Sequence, residues 1–320
     1  MISIFINSFG TTFQAIFQIL LISIAAGFLI RKHILTQEQL KALSTIGVRV
    51  LLPCLIFSNI IKNFDPHQLK FWPLIPLAAV LMVGFGLLAS AILFWPNLKD
   101  KKYLLAPAAL QNGGYLILPL GKMLYPDHFD EFAMYCFLYL LGLSPLLWSL
   151  GKYLVSPAGG EKLTWRELFS PPFYANIISI LIVLLGLKFI VPSVILNSVD
   201  LLGTAAVPVA TFVLGAVLGS IPLDIKAYWV NAVKVLSVRL VLVPLATIIV
   251  LWLMNIHTAY PLLCSLLVLQ SSSSPATALI MQVKHYGGEE QELGSILMLS
   301  YTACIITIPF WLAVWMAITA

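Results

Sequence analysis

The residues best suited to chemistry in this 320-residue chain fall in two short runs, QNGGYLILP from Gln111 and QSSSSPATA from Gln270. Each joins an amide side chain to residues that interrupt a helix. Gly113 and Gly114 each lower helix propensity by about 1 kcal/mol relative to alanine. Ser271, Ser272, Ser273 and Ser274 compete with the backbone for its own hydrogen bonds, and Pro275 has no backbone donor. Where a helix restarts after such a break, bare N–H groups and a partial positive charge attract an anion. These features make Asn112, Gly113, Gly114, Gln270, Ser272, Ser273, Ser274 and Pro275 the candidate substrate-binding residues. Unwound carbonyls and the oxygens of Gln111 and Ser271 suit a hard cation such as Na+. The same residues have a plainer use. Serines in an apolar helix pack closely or bond to their own backbone, and an asparagine there joins helices.

Other chemistries lack their residues. No GxxxxGK[ST] loop, HExxH or GxSxG motif is present, so nucleotide-driven pumping and hydrolysis are not expected. Cys54, Cys136, Cys264 and Cys304 form no CxxC pair and read as small buried hydrophobes. No catalytic residue, resident metal or cofactor is expected, apart from Na+ as a coupling ion.

The elements that must position the two runs follow from composition. Apolar residues make up 60% of the chain and charged ones only 10%, against about 25% charged in an ordinary soluble domain. So little charge cannot cover a soluble protein of this length. The chain is read as an all-α integral membrane protein whose main partner is the lipid bilayer. Its net charge of +5 reflects topology and not nucleic acid. Ten segments approach the roughly 20 residues that a bilayer crossing needs: 9–30, 42–61, 71–94, 103–124, 130–150, 173–191, 201–219, 231–254, 260–282 and 294–318. The first has no positive region before it and reads as a retained span, not a signal peptide.

Lys and Arg set the orientation. Twelve lie in the connections after spans 1, 3, 5, 7 and 9: Arg31, Lys32, Lys41, Lys99, Lys101, Lys102, Lys152, Lys162, Arg166, Lys226, Lys234 and Lys284. The opposite side has four, Lys62, Lys70, Lys122 and Lys188. The positive-inside rule makes the twelve cytoplasmic and puts both termini outside. Arg49 and Arg239 fall a few residues inside spans, where snorkelling or pairing with carbonyls explains them. No Asp or Glu falls deep in a span, so no carboxylate proton relay is visible.

Five spans per half invert the second half relative to the first. Residues 1–150 form the first repeat, 151–172 a cytoplasmic linker, and 173–320 the second repeat. Span 2 carries LLPCLIF with Pro53 and Phe57, and span 7 carries AVPVATF with Pro208 and Phe212. The broken runs fall in spans 4 and 9. Paired interrupted helices in an inverted repeat mark a transporter's binding site.

Several stretches carry a family likeness. GFLIRKHILTQEQLKALSTIGVRVLLPCLIFSNI from Gly27, NGGYLILPL from Asn112, LLGTAAVPVATFVLGAVLG from Leu201, SSPATALIMQVKHYGG from Ser273 and SYTACIITIPFW from Ser300 together resemble the auxin efflux carrier family, over nearly the whole chain. The resemblance implies a fold like that of sodium–proton antiporters and bile-acid–sodium symporters, with spans 4 and 9 crossing where they unwind. It further implies a scaffold of spans 1, 2, 6 and 7, shaped by Pro53 and Pro208, a moving transport unit of spans 3–5 and 8–10, and a homodimer through the scaffold. The family's span 4 asparagine maps onto Asn112, and Gln270 matches a glutamine of the plant members. Three departures leave substrate identity uncopied. Gln111 stands where plant members have proline, Pro275 falls one residue late, and no asparagine stands at Ala278.

The expected function is a permease of the plasma (bacterial inner) membrane for a small organic anion such as a carboxylate, working by elevator-type alternating access. The alternatives are a sodium-coupled symporter like the bile-acid carriers, or a receptor or channel that does not alternate access.

Overall fold

The computed structural model describes residues 1–157, 170–221 and 225–320. Lys162 and Arg166 of the expected linker lie outside the described residues. In chain order the helices that frame the molecule are α1 (Ile2–Arg31), α2 (Gln37–Asn63), α3 (Leu74–Leu93), α4 (Leu105–Ala109), α5 (Ile117–Leu124), α6 (Pro126–Val155), α7 (Pro171–Leu184), α8 (Ser193–Gly219), α9 (Ala227–Met254), α10 (Pro261–Ser272), α11 (Ala278–Tyr286) and α12 (Glu290–Thr319). Among the described residues no strand forms. Seven of these helices, α1, α2, α3, α6, α8, α9 and α12, are long and apolar enough to cross a membrane.

The other expected spans are interrupted, each for a local reason. Residues 103–124 split into α4 and α5 around Gln111 to Leu116, and 260–282 split into α10 and α11 around Ser273 to Thr277. The segment expected at 173–191 is helical only over the 14 residues of α7, about 21 Å long at 1.5 Å per residue. Gly186, at φ 68°, ends it, and a short 3-10 turn follows at Leu187–Ile190.

Local sequence explains the bends as well. Thr36 and Gln39 form a capping box at the start of α2, satisfying two otherwise bare N–H groups. Proline inside a helix cannot donate and its ring crowds the carbonyl four residues back. The chain relieves this at Pro53 with a π-helical turn, Gly47–Leu51, just upstream, and at Pro244 with another, Val238–Leu242. Before Pro208, α8 bends at Ala205.

Packing sorts the helices. α1 lies along α8, and α2 lies against α7 and α8. α3 packs on α4 and α6, and α12 packs on α9, α10 and α1. The α1–α8 contact brings two backbones together. A Cβ on Gly215 would lie 2.2 Å from Ser23 Cα, and one on Gly219 would lie 2.4 Å from Gly27 Cα. Ser23–Gly27 and Gly215–Gly219 are each four residues apart, the small-residue spacing that allows close approach in a membrane, where dispersion replaces the hydrophobic effect as the driving force.

Two charged residues sit deeper than their sequence positions suggest. α12 begins four residues before the expected 294, so Glu292 is buried. It accepts from the Tyr103 hydroxyl at 2.6 Å and Asn231 Nδ2 at 2.7 Å, with Lys101 Nζ 3.8 Å away. Lys152, counted with the loops, is likewise buried, its ammonium 4.3 Å from the Tyr286 ring centroid.

Candidate functional site

The two breaks meet. Asn112 N donates to Ser274 O at 2.8 Å and Ala276 N donates to Leu110 O at 2.9 Å, which makes Gln111 and Pro275 an antiparallel bridge pair. Pro275 occupies the position of the pair whose own N–H is not used between the strands, so its missing donor costs no cross-link. Leu110 (φ −98°, ψ 104°) and Ser273 (φ −74°, ψ 155°) have left the helical region to make this contact. Two interrupted helices thereby satisfy one another's backbone, as they must where water is excluded.

Side chains fasten the contact. Gln270 Nε2 donates to Gly113 O at 3.0 Å. Gln111 Nε2 donates to the Tyr139 hydroxyl, and that hydroxyl lies 3.1 Å from Met82 Sδ. Asn112 Nδ2 donates to the Tyr301 hydroxyl at 2.6 Å, while its Oδ1 accepts from Tyr115 N at 3.1 Å and so caps the approach to α5. Tyr139 and Tyr301 therefore brace the break from α6 and α12. Gln111 Oε1 and Gln270 Oε1 are buried and have no hydrogen-bond partner.

The four serines are spent mostly on their own helix. Ser271 and Ser272 Oγ donate to Val268 O, both at 2.8 Å, and Ser273 Oγ donates to Gln270 O at 3.0 Å. All four are fully buried.

A cavity of about 130 Å³ opens beside this contact. Gln111 to Tyr115 and Ala276 to Ala278 form its floor, and these are the segments from which α5 and α11 restart. Leu52 and Ile56 of α2, Leu140 and Leu143 of α6, Asn176 of α7 and Val209 of α8 contribute to its walls. Among the described residues no Lys, Arg, His, Asp or Glu lines it. Of the residues singled out from sequence, Gln111, Asn112, Gly113 and Gly114 line the cavity, whereas Gln270, Ser271 to Ser274 and Pro275 stand behind it. Pro53 is not among the residues that line this cavity. Pro208 lines a second one of about 220 Å³, together with Lys62, Lys122, Asp130 and Asp200.

The two glycines separate in role. A Cβ on Gly113 would lie 2.8 Å from Leu143 Cδ2 and 2.9 Å from Gln270 Oε1, whereas one on Gly114 would meet only Leu140 Cδ1 at 3.8 Å. Gly113→Ala is therefore expected to displace Gln270 and cut transport at least about ten-fold, matching the loss of one buried hydrogen bond. Gly114→Ala should stay within about two-fold. Equal effects in a flux assay would remove the close approach at Gly113 as the reason for the glycine.

The membrane transport protein family model matches residues 11–159 and 156–312 of the chain. The chain belongs to this family. An uncharacterised transporter of Methanocaldococcus jannaschii is 26% identical over 288 residues, covering 87% of this chain and 90% of that one. Another, of Methanothermobacter thermautotrophicus, is 24% identical over 317 residues, covering 96% and 98%. The PIN-LIKES 1 protein of Arabidopsis thaliana is 29% identical over 164 residues, 47% of this chain and 34% of that protein. The likeness to auxin efflux carriers read from the sequence is that of this family of membrane transport proteins, which are not enzymes.

In this family member, sequence reasoning overlooked Tyr139, Tyr301 and Asn176. Asn176 is buried, donates through Nδ2 to Phe137 O at 2.6 Å and leaves Oδ1 without a partner at the cavity. A lone asparagine early in an apolar segment was the available signal. Of the two roles expected for Arg239, snorkelling and pairing with carbonyls, it takes the second. It is fully buried, and its Nε donates to Ser273 O at 2.8 Å while Nη2 donates to Gln270 O and Ser271 O, each at 2.7 Å. It caps the last carbonyls of α10, which no further helical turn can satisfy. Arg49, in contrast, is exposed on α2.

Proposed function

We propose that the chain is a secondary transporter for a small organic anion, a carboxylate with an apolar body, bound where α4–α5 and α10–α11 meet. The observation that carries this reading is the cavity floored by the N-terminal approaches of both α5 and α11, with mostly apolar walls and, among the described residues, no charged side chain. Helix starts present N–H groups and partial positive charge to an anion, and the walls suit its apolar remainder. Asn112, Gly113 and Gly114 contact the substrate, and Gln270, Ser272, Ser273, Ser274 and Pro275 shape the contact from behind.

The seven long helices, the two split pairs and α7 supply ten crossings, five in each half. In this reading α1, α2, α7 and α8 are the scaffold. α3 to α6 and α9 to α12 are the moving unit, with substrate carried by an elevator-type displacement. The packing of α2 on α7 and α8, and of α12 on α9 and α10, fits that division, which the extensive contact of α12 with α1 spans. The Lys and Arg distribution supports a bacterial-type inner membrane location with both termini outside, and a homodimer would form through the scaffold.

A sodium-coupled symporter is the second reading, favoured by the buried, unpartnered Oε1 atoms of Gln111 and Gln270. Uniport ranks first because an inside-negative potential alone drives an anion outward. One charge moved through 100 mV is worth about 2.3 kcal/mol, roughly fifty-fold in concentration.

The test is flux in proteoliposomes across a panel of radiolabelled carboxylates, with potential, sodium gradient and pH gradient imposed separately. Saturable flux with counterflow, driven by potential alone, is the expected result. Flux that neither saturates nor shows counterflow would favour a channel. A strict sodium requirement would replace uniport by symport.

A further inference from the structure

Arg239 is a full charge buried at the crossing that takes no part in lining the cavity. The ion pairs between described residues join Lys62 to Asp200, Lys101 to Glu292 and Lys284 to Glu290, and none includes Arg239. Its guanidinium is held by three backbone carbonyls, and Nη1 has no hydrogen-bond partner. Carbonyls satisfy its donors without supplying a compensating unit charge. The end of α10 contributes about half a negative charge, so a net positive charge remains in a dry surrounding.

That charge is tied to the anion site by short connections. Ser273, whose carbonyl accepts from Arg239 Nε, is followed by Ser274, whose carbonyl accepts from Asn112 N. Gln270 accepts from Nη2 through its backbone and donates through its side chain to Gly113 O. The guanidinium is thus bonded to the stretch of chain that holds Asn112 and Gly113, two of the residues that floor the cavity. A buried charge is screened far less than an exposed one, and burying it without a counter-ion is costly. Such a cost is offset when an anion arrives.

We propose that Arg239 is the charge that selects for anions at this site: held by carbonyls instead of a carboxylate, it leaves the empty cavity electropositive, admits a negatively charged substrate and repels cations. The substrate class in this statement rests on the anion-transport reading; the sign of the cavity does not. Because the arginine is bonded to the break itself, it travels with the site in any displacement of that unit. The same charge disfavours sodium among the oxygens of Gln111 and Gln270.

Thiol modification measures the sign directly and needs no substrate. Ala278 lines the cavity and is only partly buried. In an Ala278→Cys variant, the rates of labelling by a sulfonate-bearing and a trimethylammonium-bearing methanethiosulfonate are followed by mass spectrometry. Each is normalised to the same reagent on a free thiol in solution. The sulfonate reagent should be favoured by about ten-fold or more, the size expected for one charge acting at close range through an effective dielectric near 20. Adding Arg239→Gln should abolish the preference, and Arg239→Lys should retain most of it. A purely structural arginine would change both rates together and leave their ratio alone. Parity of the two reagents in the Ala278→Cys protein, with Arg239 intact, would overturn the proposal without any change at the arginine. So would a ratio unaltered by Arg239→Gln. Absence of carboxylate flux in proteoliposomes, with the ratio as expected, would count against the transport reading alone.

Discussion

Replacing Asn112 by alanine is expected to lower transport by roughly ten- to a hundred-fold, the cost of one lost hydrogen bond to a charged group at about 1.5–3 kcal/mol. The side chain is 4% exposed and lines the cavity, yet it also serves the protein, through Tyr301 and Tyr115. Alanine leaves the Tyr115 N–H without its cap and weakens the bracing of Tyr301. Stability should fall by about 1–3 kcal/mol as a result, so folding must be measured beside flux. Tyr301→Phe separates the two roles. It removes the partner of Nδ2 without touching the cavity lining, and the contact of the tyrosine hydroxyl with Pro275 O is long at 3.4 Å. If substrate contact is what matters, Tyr301→Phe keeps most of the flux that Asn112→Ala loses. Equal losses in the two variants would reduce Asn112 to a brace for the crossing. Undiminished flux in Asn112→Ala would take it out of the site altogether.

Gly215→Val should be the most destabilising single change along α1 and α8. The first added carbon would lie 2.2 Å from Ser23 Cα and 2.4 Å from Ser23 O. Both are backbone atoms of a helix and cannot turn aside, so the two helices must separate. Overpacking of this kind costs about 1–3 kcal/mol or more, and in a bilayer no hydrophobic gain offsets the lost dispersion contact. A fall in Tm on the order of 10 °C is expected for the purified protein, from about 2–4 °C per kcal/mol in domains of somewhat smaller size. Gly84→Val is the control, since nothing lies within 4 Å of a Cβ there, and its Tm should stay close to that of the parent. Similar Tm values for the two variants would mean that α1 and α8 do not meet through Gly215.

Membrane class, helical fold and the place of both breaks were legible in the sequence because each depends on local chemistry. Sixty per cent apolar residues exclude a soluble surface. Gly113–Gly114 and the Ser271–Pro275 run interrupt a helix wherever they stand, and the chain leaves the helix at both. Lone polar residues were read less well. Arg239, a few residues inside an apolar segment, has the same sequence signature as Arg49. One is fully buried on the carbonyls of Gln270, Ser271 and Ser273, and the other is exposed. The difference lies in what packs against each, which is a long-range fact. The serine hydroxyls could serve backbone, ion or substrate, and the carbonyls of their own helix took those of Ser271, Ser272 and Ser273. Only the tertiary structure could decide that Asn112 N meets Ser274 O, that Gly113 leaves room for Gln270, and that Gly215 lies on Ser23. Those partners are more than a hundred and fifty residues apart in the chain, and their meeting is set by how whole helices pack, not by the local propensities that a sequence displays.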